Sequence, residues 1–316
     1  MKYQQWLKNP IRFKAMTGDT VEKFEELLPT FTKIHDEYLS KYDLNGKLRK
    51  GVRSFVIYKN SPLNSHQERL AFILSFIKLN SLQESHADLF LMQQKQCNEF
   101  IHGLRTILDK TLSFLSVMPA TNDAELQVKL NQITDQRDKH LFHDGTEREI
   151  PRPQDPDDQK DFYSGKKKKH TVKNAVITNL SCVVLFLSIT VNAKMHDKKM
   201  ADTLYTIKQG FNLWQDTGYQ GYKPDGVIIN QPIKKPRGKE LTEQQKEYNR
   251  YISQVRVRVE HAIGSMKRYR IVKDECRLRK NHFVNTILHT CAGLHNFRLK
   301  NKPFQYPQYQ DINKPT

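Results

Sequence analysis

Three β-rich runs decide the fold of this chain: KHLFHDGTERE at residues 139–149, KKHTVKNAVIT at 168–178 and CVVLFLSITV at 182–191. The third run is continuously apolar over residues 182–187, which is typical of a central strand covered on both faces. Residues 176–193 are the only candidate membrane span, but polar side chains interrupt them. We interpret that stretch as two buried strands joined by a tight turn.

Further helices and strands follow these runs. The patterns predict a helix at about residues 198–209, strands at 211–216 and 227–233, a long helix from 242 to beyond 260, and an apolar helix at 282–298. Runs of strands mixed with helices in this order predict an α/β sheet with helices on its faces.

The N-terminal part of the chain has helical patterns. We predict helices over residues 21–28 and 31–39, and three more within residues 65–118, where apolar side chains recur with a helical period. In that region, residues 82–90 and 94–115 have the lengths of the two helices of a helix-turn-helix, joined by a short link.

The second of these two helices would read DNA bases with its first residues. The candidate base-reading residues are Gln93, Gln94, Lys95 and Asn98. Residues 61–116 carry five basic and five acidic side chains, so an ordinary three-helix bundle is the alternative interpretation.

Positive charge is concentrated in the second half of the chain. The whole chain carries 52 basic and 34 acidic side chains, a net charge of +18. Residues 1–160 contribute 23 − 22 = +1, and residues 161–316 contribute 29 − 12 = +17. Clustered Lys and Arg bind polyanions by releasing condensed counterions, so this distribution predicts a nucleic-acid partner. The candidate phosphate contacts are Lys166, Lys167, Lys168, Lys169, Lys234, Lys235, Arg237, Arg256, Lys267 and Arg268.

Composition argues against several other classes of protein. The four cysteines are far apart and lack the paired spacing of a structural zinc site, and the first residues lack the apolar core of a signal peptide. We therefore expect a cytoplasmic protein that does not bind membranes, and the predicted nucleic-acid partner adds the expectation that it is nucleoid-associated.

Three acidic residues are candidates for a metal site: Asp144 within a predicted strand, Asp216 at the end of another, and Glu260 in the long helix. Mg²⁺ prefers oxygen ligands and retains several waters, so two or three carboxylates from different elements are enough to hold it. For any single one of them, a turn cap or a surface salt bridge is the simpler explanation. On the helix, Arg256, Glu260 and Lys267 would lie within about 40° of one another, although the first two residues also suit a plain i,i+4 ion pair.

Seven motifs occur in a fixed order along the second half of the chain. They are HDGTEREIPRP, YSGKKKKHTVK, MHDKKMAD, QDTGYQG, KKPRGKELTEQQKEYNR, VRVRVEHAIGSMKRYRI and LHNFRL. With these motifs, residues 140–299 resemble the catalytic domain of DDE transposases of the Insertion Sequence 5 group and their Harbinger-type relatives.

The resemblance implies a ribonuclease-H-like fold whose catalytic and metal-binding acids are Asp144, Asp216 and Glu260. Asp197, in MHDKKMAD, is a competing candidate for the second acid, but its position before a helix suits a cap. The family's helix signature is Tyr, two residues, Arg, three residues, Glu, six residues, Lys. This chain has Ser253 at the tyrosine position, so no role is carried over for that tyrosine.

The resemblance also implies the organisation and the chemistry of the protein. The expected segments are a helical lead-in at 1–60, a helix-turn-helix domain at 61–120, a linker helix at 121–138, the catalytic domain at 139–300 and a flexible tail at 301–316. The expected activity is DNA cleavage at transposon ends and strand transfer into target DNA, with two Mg²⁺ or Mn²⁺ ions per active site and a homodimer on the double-stranded DNA. The alternatives are a metal-dependent endonuclease without strand transfer and a domesticated DNA-binding protein without catalysis.

Overall fold

The structure is a computed structural model that describes residues 2–50, 55–278, 283–300 and 304. In chain order its described helices are α1 (Lys2–Leu7), α2 (Pro10–Thr17), α3 (Val21–Lys41), α4 (His66–Leu79), α5 (Gln83–Leu89), α6 (Gln94–Phe114), α7 (Asp123–Asn131), α8 (Pro156–Phe162), α9 (Asp197–Leu204), α10 (Glu243–Met266), α11 (Arg270–Lys273) and α12 (Phe283–Leu299). Its described strands are β1 (His140–Glu149), β2 (Tyr163–Ser164), β3 (Lys169–Thr178), β4 (Val184–Leu187), β5 (Val191–Asn192), β6 (Asn212–Trp214) and β7 (Ile228–Asn230).

The chain divides into two units. The helical unit comprises Met1–Met118, Lys267–Cys276 and Thr286–Arg298, and the sheet unit comprises the remaining segments. The boundaries differ from the predicted ones, because residues 1–60 are not separate from the three helices that follow and two C-terminal segments return to them. Within the described part of the chain, no helix combines the length and the apolarity that crossing a membrane requires. The predicted tail at 301–316 lies outside the described residues except for Phe304.

The helical unit is built around α4. Ten residues in a row, from Glu68 to Ile77, are buried on this helix, so it is covered on every side. Its first turn is capped by Ser65, whose side chain accepts a hydrogen bond from the Glu68 N–H. Helices α5 and α6 have the predicted bounds to within one residue, and their link contains Leu91 in the left-handed region with φ 55°.

Helix α3 differs from the prediction, which separated residues 21–28 from 31–39 at Pro29. The structure has one continuous helix with Pro29 inside it. Proline removes one backbone hydrogen bond, but buried side chains anchor both halves, including Phe24, Leu27, Phe31 and Leu39. Burial of this apolar face therefore outweighs the loss of the hydrogen bond at Pro29.

The sheet unit contains a mixed sheet with the strand order β2-β3-β1-β6-β7, and β4 and β5 also pair with β3. Strand β1 is antiparallel to β3 and parallel to β6, and β6 is parallel to β7. The predicted hairpin at 176–193 is present as β3 and β4, and Cys182 in its turn has φ 63°. The later strands and α9 are shorter than predicted, and α8 was not predicted.

The two faces of this sheet pack against different helices. Leu141, Ala175 and Leu213 lie in the core cluster that includes residues of α7 and α9. On the other face, the Arg258 guanidinium of α10 lies 5.6 Å from the centre of the Phe142 ring. Since side chains alternate along a strand, each residue of β1 can be assigned to the α9 face or the α10 face.

Candidate functional site

The sheet register brings Asp144 and Asp216 side by side. In the parallel pair of β1 and β6, Phe142 lies opposite Trp214. Asp144 follows Phe142 by two residues, and Asp216 follows Trp214 by two residues. Both side chains therefore point to the α10 face. Asp144 Oδ1 accepts a hydrogen bond from the Gly145 N–H at 2.8 Å, and Asp216 Oδ1 accepts one from the Thr217 N–H at 2.6 Å.

Arg256 of α10 lies beside both aspartates. Its Nη2 is 3.9 Å from Asp144 Oδ2, and its Nη1 is 3.8 Å from Asp216 Oδ1. The Arg256 side chain is only 9% exposed, whereas the two carboxylates are 25% and 50% exposed. Because an arginine keeps its charge, this guanidinium partly neutralises the two acids.

Glu260 lies one helical turn beyond Arg256 on α10, a rise of about 6 Å along the axis. Its side chain is exposed, so the helix presents it at the surface rather than in the core. The negative charge of Glu260 affects the pKa of the Asp144 carboxyl. Burial first, and then the charges of Asp216 and Glu260, raise the pKa of the Asp144 carboxyl to about 6, against the opposing effects of Arg256 and the Gly145 N–H. The structure thus places Asp144 and Asp216 around Arg256, with Glu260 one turn further along α10.

The three carboxylates form an oxygen-only donor set, which suits a hard divalent cation that retains several waters. Asp144 is partly buried and is affected by the charges of two other acids, and such an arrangement favours the binding of positive charge. Among the described residues, only His35, Asp36 and His66 have three ligand atoms that all lie within 4.8 Å of one another. The carboxylate oxygens of the three acids are therefore further apart than this. Arg256 lies between Asp144 and Asp216 in this arrangement. The residues present therefore fit Mg²⁺ or Mn²⁺ in the chemistry of their donors.

Asp197, the competing candidate, lies on the other face of the sheet. A Cβ atom built on Gly145 would be 3.1 Å from Asp197 Oδ1, and position 145 points away from the side to which Asp144 points. Lys173 of β3 forms an ion pair with Asp197 at 3.1 Å. The cap predicted at Asp197 is displaced by one residue, because His196 is the N-cap of α9 and Asp197 is the first residue of the helix.

A buried polar cluster lies behind Asp144 on the α9 face. The Tyr205 hydroxyl and His143 Nε2 are hydrogen-bonded, and the ring centre of Tyr219 lies 3.7 Å from that of His143. Burial lowers the pKa of His143 to about 3, so this imidazole is neutral at physiological pH. Sequence reasoning missed Lys173, Tyr205 and Tyr219, although the first and the last of them lie within the quoted motifs YSGKKKKHTVK and QDTGYQG.

The candidate phosphate contacts fall into three groups. The first group is exposed and consists of Lys166, Lys167, Lys168, Lys169, Lys234, Lys235 and Arg237. Lys169 pairs with Glu149 at 2.7 Å, and Lys235 pairs with Glu240. The second group is Arg256 alone, which is buried against the aspartates.

Lys267 and Arg268 form the third group. Helix α10 ends at Met266, so the helical stripe of Arg256 and Glu260 stops one residue before Lys267. Both residues belong to the helical unit, and burial lowers the pKa of Arg268.

The candidate base-reading residues lie at the start of α6. Gln93, Gln94 and Lys95 are exposed. Gln83 of α5 accepts hydrogen bonds from the side-chain amides of Gln94 at 3.3 Å and Asn98 at 3.2 Å. Gln83 thereby links the two helices, so Asn98 serves to hold them together in this structure.

The described residues contain one tight group of metal-ligand type, formed by His35, Asp36 and His66 in the helical unit. Arg69 Nη1 lies 2.8 Å from His35 Nε2, and an arginine can only donate, so Nε2 accepts. The proton of His35 is then on Nδ1, which lies 2.8 Å from Asp36 Oδ1. A protonated Nδ1 has no lone pair for a metal, so this group is a hydrogen-bonded cluster.

Comparisons with known proteins concern about half of the chain. Residues 143–296 match the family described as DDE superfamily endonuclease. The chain is 32% identical over 157 residues to the probable transposase for insertion sequence element IS702 from Microchaete diplosiphon, and this match covers 49% of this chain and 56% of that relative. The chain thus spans little more than half the length of that relative. No solved structure matches the chain. The three acids therefore lie within the part of the chain that is similar to DDE superfamily endonucleases.

Proposed function

We propose that this protein is a DDE transposase that cuts DNA at transposon ends and joins the ends to target DNA. The observation that carries the proposal is the parallel register of β1 and β6, which sets Asp144 beside Asp216 on the face where α10 presents Glu260. The similarity of residues 143–296 to DDE superfamily endonucleases supports it independently.

Each residue of this site has a distinct part in the proposed chemistry. Asp144, Asp216 and Glu260 would hold two divalent ions, Mg²⁺ or Mn²⁺. When bound, such ions activate the attacking oxygen and stabilise the leaving 3′ oxygen. Asp144 lies within strand β1 and Asp216 lies two residues after the end of β6, whereas Glu260 reaches the site from a helix. Arg256 keeps the two aspartates together and offers its charge to the phosphate.

We also propose a fold, a transposase group, an oligomeric state and a location for this protein. A mixed sheet in which β1 is antiparallel to β3 and parallel to β6 supports a ribonuclease-H-like domain. The motifs of residues 140–299 support the Insertion Sequence 5 group and its Harbinger-type relatives. We further propose a homodimer on DNA, because two transposon ends must be handled together, in a cytoplasmic, nucleoid-associated protein.

DNA contacts are proposed for both units. Helices α5 and α6 with their short link support a helix-turn-helix in which Gln93, Gln94 and Lys95 face the bases. The exposed lysines 166–168, in the turn between β2 and β3, support a contact with the phosphate backbone. Lys234, Lys235 and Arg237 support a second contact of the same kind, after β7.

The test is a cleavage and integration assay with the purified full chain. The substrate is a duplex carrying the genomic DNA that flanks the gene, with a plasmid as target and with Mg²⁺ or Mn²⁺. We expect metal-dependent cleavage, integration of the 3′-hydroxyl end, and loss of both in Asp144→Asn and Glu260→Gln.

Two outcomes would replace the proposal by its alternatives. Cleavage without integration identifies a metal-dependent endonuclease. DNA binding with no cleavage above that of the Asp144→Asn variant identifies a DNA-binding protein without catalysis.

A further inference from the structure

Asp197 lies directly behind the two catalytic candidates, against the backbone segments that carry them. A Cβ atom at Gly145 would be 3.1 Å from Asp197 Oδ1, and a Cβ atom at Gly218 would be 2.8 Å from Asp197 Oδ2. Gly145 follows Asp144, and Gly218 lies two residues after Asp216. One carboxylate is therefore packed against both segments, and a Cβ atom at Gly218 would force this carboxylate to shift.

The Asp197 carboxylate is held in place from β3. Lys173 Nζ is 3.1 Å from Asp197 Oδ1 and donates a second hydrogen bond to the Met195 carbonyl oxygen at 3.1 Å. The Lys173 side chain is only 11% exposed and that of Asp197 30%, so this ion pair is partly withdrawn from water. Since Lys173 is part of a ten-residue strand, it provides a rigid anchor for the carboxylate.

A buried tyrosine completes the surroundings of Asp197. Tyr219 is fully buried, its hydroxyl has no hydrogen-bond partner among the described residues, and the added Cβ at Gly145 would lie 3.7 Å from that hydroxyl. Asp197 and Asp144 both add to the effect of burial in raising the pKa of Tyr219. The side chain of Tyr219 thus fills the space between the Asp216 turn and β1.

The Asp216 segment depends on such support because it lies beyond the strand ladder. Strand β6 ends at Trp214, and the Gln215 N–H still donates to the Asn230 carbonyl oxygen at 3.0 Å. The Thr217–Tyr219 turn that follows has its own local hydrogen bonds, and the Gln231 side-chain amide donates to the Asp216 carbonyl oxygen at 2.5 Å. A fixed carboxylate behind Gly218 limits how closely this turn approaches β1.

We propose that Asp197, anchored by Lys173, is a positioning carboxylate that sets the spacing of Asp144 and Asp216 and so tunes the divalent-ion affinity of the site. This inference rests on the proposed function. Asp197 itself does not hold the ions, because it lies on the α9 face and the two aspartates point to the α10 face.

The experiment measures Mn²⁺ affinity by calorimetry, alongside thermal unfolding, for the full-length chain and its variants. Asp197→Ala is expected to weaken Mn²⁺ binding about 10- to 100-fold, the usual effect of removing a group that orients metal ligands. Lys173→Met is expected to act in the same direction. The matched control is Asp202→Asn, which breaks the exposed Lys198–Asp202 pair on the same helix and should leave Mn²⁺ affinity unchanged within about twofold.

A double-mutant cycle separates positioning from a general loss of structure. Gly218→Ala alone should weaken Mn²⁺ binding, because its methyl group meets the Asp197 carboxylate. In the Asp197→Ala background the same substitution should weaken binding much less, since the obstructing oxygen is gone. Additive losses, or Asp197→Ala and Asp197→Asn variants that bind Mn²⁺ like the unmodified chain, would overturn the inference.

The outcomes also distinguish this inference from the proposed function. If the unmodified chain binds Mn²⁺ and cuts DNA while the Asp197 variants match it in both, the positioning role is wrong and the proposed function stands. If the unmodified chain neither binds Mn²⁺ nor cuts DNA, both are wrong.

Discussion

The Asp144 carboxyl is held in a position that disfavours its own charge. It is partly buried, with Asp216 beside it and Glu260 on the facing helix, and these effects raise its pKa to about 6. Arg256 offsets only part of that effect. An acid in such a position destabilises the folded state at neutral pH, which is common where a fold is arranged for function.

Replacing Asp144 with Asn should therefore stabilise the fold at neutral pH. The native carboxyl binds its proton more tightly than the unfolded one, so its contribution to stability falls as pH rises from about 4 to about 6 and stays unfavourable above that. At pH 7.5 we expect Asp144→Asn to raise the free energy of unfolding by up to about 3 kcal/mol, because a tenfold difference in proton affinity corresponds to about 1.4 kcal/mol. Urea denaturation at pH 7.5 and pH 3.5 measures this.

The control for that prediction is Asp202→Asn, whose exposed carboxyl should give little change at either pH. The gain from Asp144→Asn should disappear at pH 3.5, where the carboxyl is largely protonated in both the folded and the unfolded chain. An Asp144→Asn variant that is less stable than the unmodified chain at pH 7.5 would contradict the account.

Removing Arg256 should make the protein more dependent on metal for its stability. The Arg256→Met variant leaves Asp144 and Asp216 to repel each other, so in EDTA we expect a loss on the order of 2 kcal/mol, less than for a tightly hydrogen-bonded buried pair because the two N–O distances are 3.8 and 3.9 Å. Added Mn²⁺ should then raise the melting temperature more in the variant than in the unmodified chain. Arg250→Met, at an exposed position of the same helix, is the control. If Mn²⁺ raised the melting temperature equally in the unmodified chain, Arg256→Met and Arg250→Met, this role of Arg256 would be refuted.

The sequence singled out the three acids of the candidate site, but it did not single out the residues that pack behind them. Asp144, Asp216 and Glu260 were predicted because carboxylates in or after a strand and on a helix have a recognisable chemistry and occur in the quoted motifs. The contact of Lys173 with Asp197, 24 residues apart, depends on which face of β3 carries Lys173 and on how closely α9 approaches the sheet. No local pattern encodes that distance.

Elements with a strong period were predicted closely. The bounds of α6 and α10 were predicted well because their apolar positions recur over many turns, and β1 and β3 were predicted to within one residue. The short strands β6 and β7 were predicted too long, since three-residue strands carry too few side chains to show a period. The break predicted at Pro29 was wrong because packing along α3 outweighs the missing hydrogen bond.

Helix α3 should gain stability when its internal proline is removed. Pro29 is exposed, so Pro29→Ala restores a backbone hydrogen bond without disturbing the core, and we expect about 1–3 kcal/mol of added stability. Chemical denaturation measures the change. The matched control is Pro10→Ala at the first position of α2, where no helical hydrogen bond is missing and little change is expected. Equal effects of the two substitutions would show that α3 is not strained at Pro29.

At the scale of the whole molecule, the sequence could not show that the chain returns to its first unit. Residues 267–276 and 286–298 belong with the N-terminal helices, and buried hydrogen bonds such as that of Tyr269 with Asp19 join segments 250 residues apart. The charge division was visible from composition, since residues 161–316 carry +17 of the net charge. Charge predicts the kind of partner, but not which segments fold together.

The proposed phosphate contacts make a prediction about salt. Replacing Lys166, Lys167 and Lys168 with Gln should reduce the slope of log affinity against log salt by about 0.9 for each duplex phosphate that these lysines neutralise. Fluorescence anisotropy over a salt series measures that slope. A triple variant at the exposed Lys8, Lys41 and Lys47 changes the net charge equally and should leave the slope close to that of the unmodified chain. Equal changes in both variants would show that total charge, not this turn, governs binding.

The most direct test of the central claim is anomalous diffraction from crystals of the full chain soaked in Mn²⁺. We expect anomalous density about 2.1 Å from carboxylate oxygens of Asp144 and Asp216, with Glu260 turned toward it. We expect no ion at the His35–Asp36–His66 cluster, where Arg69 keeps the His35 proton on Nδ1. Density at that cluster with none at the two aspartates would contradict the account.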